Sequence, residues 1–328
     1  MTTVPRGARA ADLGRAARRV MSERPELVLV GLLIVLFLVT NLYGSGEITG
    51  GQITTTLLTA APLGILAAGQ TLVMITAGID LSVATTATAA AYVMSERSSE
   101  GDLQAVVVGL VLGLVIGLVN GIGVGVFRVN PLIMTLGMSG VTIGGLAVYA
   151  QKTQGLPAVP SAIHSLGSST VLGGYVPVSL FLWLPLAVVI VLGLRSSGFG
   201  RMLYAVGDNP VACRLAGVRV WQVQIAVYAV CGLLSALAGI LLAGVNNAAD
   251  LALANDLLLP CIAAVVIGGT SIFGGIGGYV GSAVGALILT VLDNLLTLTN
   301  SSQAVRQIIY GSIILLLAWL YVRLSEAA

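Results

Sequence analysis

Apolar residues run along this chain in long stretches interrupted by short polar clusters. They show neither the period-two alternation of half-buried strands nor the one-sided stripe of a surface helix. The pattern predicts ten apolar helical segments, at about 26–43, 54–76, 82–94, 104–127, 132–150, 176–194, 222–245, 257–273, 278–297 and 305–323. A helix that crosses a bilayer needs roughly 20 residues. The third segment is short by that measure and reads as broken or re-entrant. Within the fourth, Gly109, Gly113, Gly117, Gly121 and Gly125 recur at every fourth position. On a helix they form one bare stripe that invites close approach of a neighbour. A shorter stripe, Gly277, Gly281 and Gly285, opens the ninth segment. Both read as packing surfaces without chemistry.

Composition turns this pattern into a fold class. Of 328 residues, 57% are hydrophobic and 9% charged, against about 25% charged in an average soluble domain. Mean hydropathy is +1.03. A soluble enzyme and a disordered chain are both excluded, which leaves an all-α polytopic membrane protein. Cys213, Cys231 and Cys261 are isolated and without metal-ligand spacing, so they read as small apolar fillers. The one histidine, His164, has no partners with which to build a zinc site. The first apolar run lacks a small-residue cleavage site and is followed by further segments, so it reads as a retained anchor.

Charge gives an orientation. With the N-terminus inside, ten crossings place Arg6, Arg9, Arg15, Arg18, Arg19, Arg24, Arg128, Arg195, Arg201, Arg214, Arg219 and Arg323 on the inner side. Only Arg97, Lys152 and Arg306 fall outside. Basic residues concentrate in short cytoplasmic loops, and omitting any one segment before residue 195 would put the arginine-rich loop 195–222 outside. The expected organisation is a basic cytoplasmic segment 1–25, a membrane domain 26–323 and a cytoplasmic tail 324–328. Both termini are then cytoplasmic, and the basic N-terminus is a membrane flank rather than a nucleic-acid arm.

Three polar stretches interrupt the apolar pattern. In the loop 195–222, Asn209 precedes Pro210, a pairing suited to a helix start, since Asn caps and Pro needs no amide partner at the first position. Gly217 suits the stop. The reading is a two-turn cytoplasmic helix, too short to stand alone, which needs a partner surface. Its Val211, Leu215, Arg214 and Arg219 would serve either a second protein or the chain's own spans and lipid headgroups. In the stretch 69–86, Asp80 is a carboxylate at membrane level, which is a functional candidate by default. Its simpler role is an N-cap for the third helix, with Ser82 beside it. Gln70 and Thr71 would face a neighbouring helix or an aqueous path. In the stretch 263–286, six glycines between Gly268 and Gly278 lack the lysine of a phosphate loop, and they read as a tight cytoplasmic turn.

Asn246, Asn247, Asp250, Asn255 and Asp256 fall in one outer loop, which meets a solute, a docking protein or simply water. Asp293 and Asn294 lie near the outer end of the ninth segment, and Asn120 lies within the fourth; these are further candidates for a pathway. No nucleophile–base pair, paired carboxylates or metal cluster can be assembled from the spacing. With its single His in an outer loop, an intramembrane hydrolase would have little to work with, and the chain does not read as an enzyme.

GQTLVMITAGIDLSV (69–83), NGIGVGVFRVNPLIMTLG (120–137), FGRMLYAVGDNPVACRLAGVRV (199–220) and IAAVVIGGTSIFGGIGGYVGSAVGA (262–286) together resemble the permease subunits of ribose-type bacterial ABC importers, within the superfamily that also holds branched-chain amino acid permeases. The resemblance extends from about residue 54 to residue 320. It implies a type II-like importer transmembrane domain in the bacterial cytoplasmic membrane and a second permease subunit, identical or diverged. It also implies a cytoplasmic ATPase that binds ATP and Mg2+, and an extracytoplasmic solute-binding protein. This chain would itself hold no cofactor or metal. The family's ATPase-coupling segment maps onto Gly207, Asp208, Asn209, Pro210, Ala212, Arg214, Leu215 and Gly217. Gly78, Ile79, Asp80, Leu81, Ser82 and Val83 map near the transport path. Ala84, Asn130 and Asp208 depart from the family pattern, which bears on the subgroup and hence on the solute.

The leading expectation is an ATP-driven importer permease for a simple sugar. The pathway candidates are Gln70, Thr71, Asp80, Ser82, Asn120 and Asn294. A permease of the same architecture for a branched-chain amino acid, nucleoside or signalling furanose is the alternative within the class. An ion-coupled secondary transporter is the alternative outside it, supported by a broken helix and a membrane carboxylate.

Overall fold

The computed structural model describes residues 25–44, 49–152 and 158–326. The basic segment up to Arg24 and the last two residues lie outside the described residues. The fold is helical, apart from one two-stranded antiparallel pairing, β1 (Thr170–Val171) with β2 (Val176–Pro177). The helices are α1 (Pro25–Tyr43), α2 (Gly50–Ile75), α3 (Val83–Glu96), α4 (Asp102–Gly125), α5 (Pro131–Lys152), α6 (Ser161–Ser168) and α7 (Leu180–Ser196). They continue as α8 (Gly198–Asp208), α9 (Pro210–Leu215), α10 (Val220–Asn246), α11 (Leu258–Ile267), α12 (Tyr279–Leu298) and α13 (Gln303–Glu326).

A helix stands at each of the ten places where the apolar pattern puts one. The count of crossings is more restricted. Among the described residues five helices, α2, α4, α5, α10 and α12, are long and apolar enough to span a bilayer. A sixth is available if α7 and α8, bent by 69° at Ser197, form one broken span. The eighth segment, expected over 257–273, is helical only over Leu258–Ile267. Beyond it the chain turns: Gly269, Gly274, Gly275 and Gly277 all have positive φ, between 74° and 134°, a region that side chains with a Cβ rarely enter.

α2 is the axis of the bundle. Its 18-residue apolar window is 89% buried, whereas that of α5 is 22% buried. α2 starts with a capping box, in which the Thr49 side chain accepts from the Gln52 amide and the Gln52 side chain accepts from the Thr49 amide. Pro62 lies inside it. α2 is fastened to α7 and α12 by a buried relay: Trp183 Nε1 donates to Tyr279 Oη at 2.7 Å, and that hydroxyl donates to the Gly64 carbonyl at 2.8 Å.

The glycine stripe of α4 faces α10. A Cβ on Gly113 would lie 2.5 Å from the Gly232 carbonyl oxygen, and one on Gly117 would lie 2.2 Å from that of Tyr228. Gly109 meets the Ala90 carbonyl of α3, while Gly121 and Gly125 meet the backbone of Ile225 and Trp221. The second stripe is used in the same way: Gly281 and Gly285 lie against the backbone of Gly268 and Ala264, at and beyond the end of α11. Lipid supplies no hydrophobic force between helices, so close backbone contact of this kind carries much of the cohesion.

Candidate translocation and coupling sites

The first site forms at the break between α2 and α3. α2 ends at Ile75 with Thr76 as its cap residue, and Ala77 follows in the left-handed region at φ 62°. Asp80 lies in the break, 2% exposed. Its Oδ1 accepts from the Ser82 amide at 2.8 Å and from Ser82 Oγ at 2.6 Å. The carboxylate therefore orders the turn that leads into α3. The helix itself starts at Val83, and its cap residue, Ser82, makes no side-chain capping bond. Asn120, from the middle of α4, donates from Nδ2 to Ser82 Oγ at 2.8 Å. Cys231 of α10 packs against Gly69 of α2. Thr135 of α5 closes the group from another side, accepting from the Leu81 amide at 3.0 Å.

Asp80, Ser82 and Asn120 are thus brought together, and the other three pathway candidates are not. Thr71 bonds Ser282 Oγ of α12 at 2.8 Å and the Ala67 carbonyl at 2.6 Å, so its hydroxyl joins two helices. Gln70 is fully buried, and neither polar atom of its side chain finds a partner among the described residues. Asn294 belongs to a different region, donating to Thr56 Oγ1 at 3.2 Å. Tyr228, fully buried, was not legible as a neighbour of this group. Among the described residues the Tyr228 hydroxyl has no partner, and it lies where a Cβ on Gly78 would reach it at 2.6 Å. Nothing local in the sequence ties residue 228 to residue 78; only the Gly117–Tyr228 backbone contact hints at how the register is set.

The second site is α9. Asn209 Oδ1 accepts from the Val211 and Ala212 amides at 3.1 and 2.9 Å, with Pro210 at the first helical position. At the other end Gly217, at φ 85°, donates to the Arg214 carbonyl, and Val218 donates to that of Cys213. Those two bonds complete a Schellman stop. The helix is six residues long, shorter than the two turns expected, because both caps close directly on it. Cys213 faces inward, while Val211 and Leu215 are exposed, Leu215 to 86%. Arg214 and Arg219 line a groove of about 890 Å³ with Arg128 and Trp221.

Of the remaining residues in this segment, Gly207 is the one wedged into the bundle. Its Cα faces the Ile75 carbonyl at the end of α2 and the Gly275 amide in the glycine turn; a Cβ there would lie 1.8 Å from the former. Asp208 runs beside Gly275. The α8–α9 corner, the end of α2 and the 268–278 turn therefore meet at one point, a few residues from the break that holds Asp80.

Among the described residues no group of three or more His, Cys, Asp or Glu side chains could hold a metal ion. Comparison with known proteins bears on the geometry just described. The chain is 36% identical over 263 residues to a ribose import permease protein of Escherichia coli, covering 77% of this chain and 79% of that protein. It is 32% identical over 296 residues to a fructose import permease protein of Rhizobium meliloti, covering 86% and 82% respectively. A probable ABC transporter permease protein of Sinorhizobium fredii is 33% identical over 276 residues, covering 84% and 82%. No solved structure matches the chain. The family described as branched-chain amino acid transport system / permease component matches residues 52–318, which takes in α2 to α12 and both sites. With that span and those identities, the chain belongs to this family of ABC importer permeases, as a transport subunit of its sugar branch.

Proposed function

We propose that this chain forms the membrane pathway of an ATP-driven importer for a simple sugar of the pentose or hexose class. In this reading an extracytoplasmic binding protein delivers the solute, a second permease subunit completes the pathway, and a separate ATPase drives it. The relatives that import ribose and fructose support the sugar class. The single observation that carries the coupling is the position of α9: a doubly capped helix with Val211 and Leu215 exposed, whose approach places Gly207 against the Ile75 carbonyl. A partner that moves α9 moves the end of α2 and, with it, the Asp80 break. ATP binding and release then bias two arrangements of the bundle, and they do so only through different affinities for the two.

The α9 end is cytoplasmic in this reading, as are both termini. The membrane domain takes in 26–323, with 195–222 as the coupling loop. The pathway runs past the polar groups buried around Asp80. Among the described residues Gln70 and the Tyr228 hydroxyl lack partners, a cost of about 1–3 kcal/mol for each buried group. An arrangement that exposes them to water or solute relieves that cost.

The test is reconstitution in liposomes with the ATPase and binding protein encoded by neighbouring genes. Alanine at Asn209, Arg214 and Leu215 together is expected to cut ATP-driven sugar uptake more than tenfold in a chain that still folds. Intact docking and uptake in that variant would remove the coupling role. The second reading, ion-coupled transport, rests on the buried carboxylate of Asp80 at a helix break. Uptake that needs no ATPase but collapses with the proton or sodium gradient would favour it.

A further inference from the structure

At the end of the bundle opposite α9, five helices leave a cleft of about 260 Å³ between the N-terminal half of α2, the ends of α10 and α12 and the starts of α11 and α13. Thr59 of α2 lines it, about 24 Å along the helix from Ile75 at ~1.5 Å per residue. The cleft is small-molecule sized, just below the ~300 Å³ at which ligand pockets usually begin. Its floor is polar. Asp293 Oδ1 accepts from Arg306 Nη1 at 2.8 Å and from the Tyr310 hydroxyl at 3.0 Å. The Arg306 Nε donates to the Ser301 carbonyl at 3.4 Å, which holds the guanidinium in place. Asn246 and Asp256 stand at the exposed rim, and neither side chain makes a hydrogen bond among the described residues.

We propose that this cleft is a receiving subsite for a neutral polyhydroxyl solute, with Asp293, Arg306, Asn246 and Asp256 as its hydrogen-bonding groups. The inference rests on the sugar reading above and deepens it by locating where the solute first meets the permease. The chemistry selects the class. Hydroxyl groups both donate and accept, so they match a site where carboxylates, an amide and a guanidinium converge. A zwitterionic amino acid would need its carboxylate to take Arg306, but that charge is already held by Asp293. With Asp256 the lining carries two carboxylates against one guanidinium, which repels an anionic ligand.

The rim residues make a clean probe because neither side chain makes a hydrogen bond among the described residues. The experiment is saturation-transfer NMR on the full chain in nanodiscs, with ribose, fructose and leucine as probes. Transfer to ribose or fructose is expected, reduced at least fivefold in Asn246→Ala and Asp256→Asn, with Tm unchanged. Sugar transfer that survives both substitutions would overturn the cleft assignment while leaving the sugar reading standing. No transfer to either sugar in the unaltered chain would also overturn the cleft. Transfer to leucine alone, sensitive to the same substitutions, would overturn the solute class here and the sugar reading together.

Discussion

The Gly275 amide donates a hydrogen bond of 3.0 Å to the Ile75 carbonyl, 200 residues away in the chain. This bond joins the end of the central helix to the glycine turn after α11. Gly207 lies against both groups, so three segments converge on one backbone bond. The approach to α9 and the end of α2, just before the break at Asp80, meet there through atoms that belong to no side chain.

Gly207→Ala is the direct probe of that junction. The added methyl would fall 1.8 Å from the Ile75 oxygen and 2.6 Å from the Gly275 nitrogen, and backbone cannot give way as a flexible side chain does. Overpacking of this kind costs about 1–3 kcal/mol. A lowered Tm of the purified chain and reduced ATP-driven uptake are expected. Gly198→Ala, where the nearest atom is an arginine side-chain nitrogen at 3.8 Å, is expected to leave both unchanged.

The cap of α9 offers a graded test. Asn209→Ala removes both capping bonds to Val211 and Ala212, at a cost of about 1 kcal/mol. Asn209→Asp keeps an acceptor in place. Hydrogen exchange over 210–217 is expected to accelerate about fivefold in the alanine variant and to stay near the original rate in the aspartate one.

The two kinds of glycine on neighbouring helices predict opposite outcomes. Gly117→Ala drives a methyl into the Tyr228 carbonyl across the α4–α10 contact and is expected to lower Tm by several degrees. Gly140, on α5, has nothing within 4 Å of its missing Cβ. Gly140→Ala in the isolated chain is expected to be neutral or to stabilise by about 0.5–1 kcal/mol, from the higher helix propensity of alanine. Thermal unfolding in detergent measures both.

Asp80 separates a structural from an electrostatic role. Asp80→Asn retains an oxygen to accept from Ser82, whereas Asp80→Ala leaves the Ser82 amide and hydroxyl without that acceptor. If ordering the turn is its work, the asparagine variant keeps most of the uptake and the alanine variant loses it, with a stability cost of about 1–3 kcal/mol for a buried unpaired donor. Equal loss of uptake in both, with Tm held in the asparagine variant, would assign the role to the charge.

The places of all ten apolar helices were legible in the sequence because a helix satisfies its own backbone and the hydrocarbon demands nothing but apolar side chains around it. The α9 caps were legible for a similar reason: Asn209, Pro210 and Gly217 act on amides and carbonyls within a few residues of themselves. How many of the helices are long enough to cross was less so. The apolar pattern runs on past Ile267 into Ile272 and Phe273, while the positive φ of Gly269 and Gly274 ends the helix earlier.

The register between helices was decided only by tertiary packing. Gly207 reads as one more small residue in a loop until α2 and the 268–278 turn close on it. Cys231 reads as filler until α10 brings its backbone against Gly69 of α2. Arg306 reads as an outer basic residue until it pairs with Asp293. The sequence by itself determined where helices form and where short ones stop, since those are contests among neighbours along the chain. Which faces meet depends on steric fit between segments as far as 238 residues apart, and local pattern carries no record of that distance.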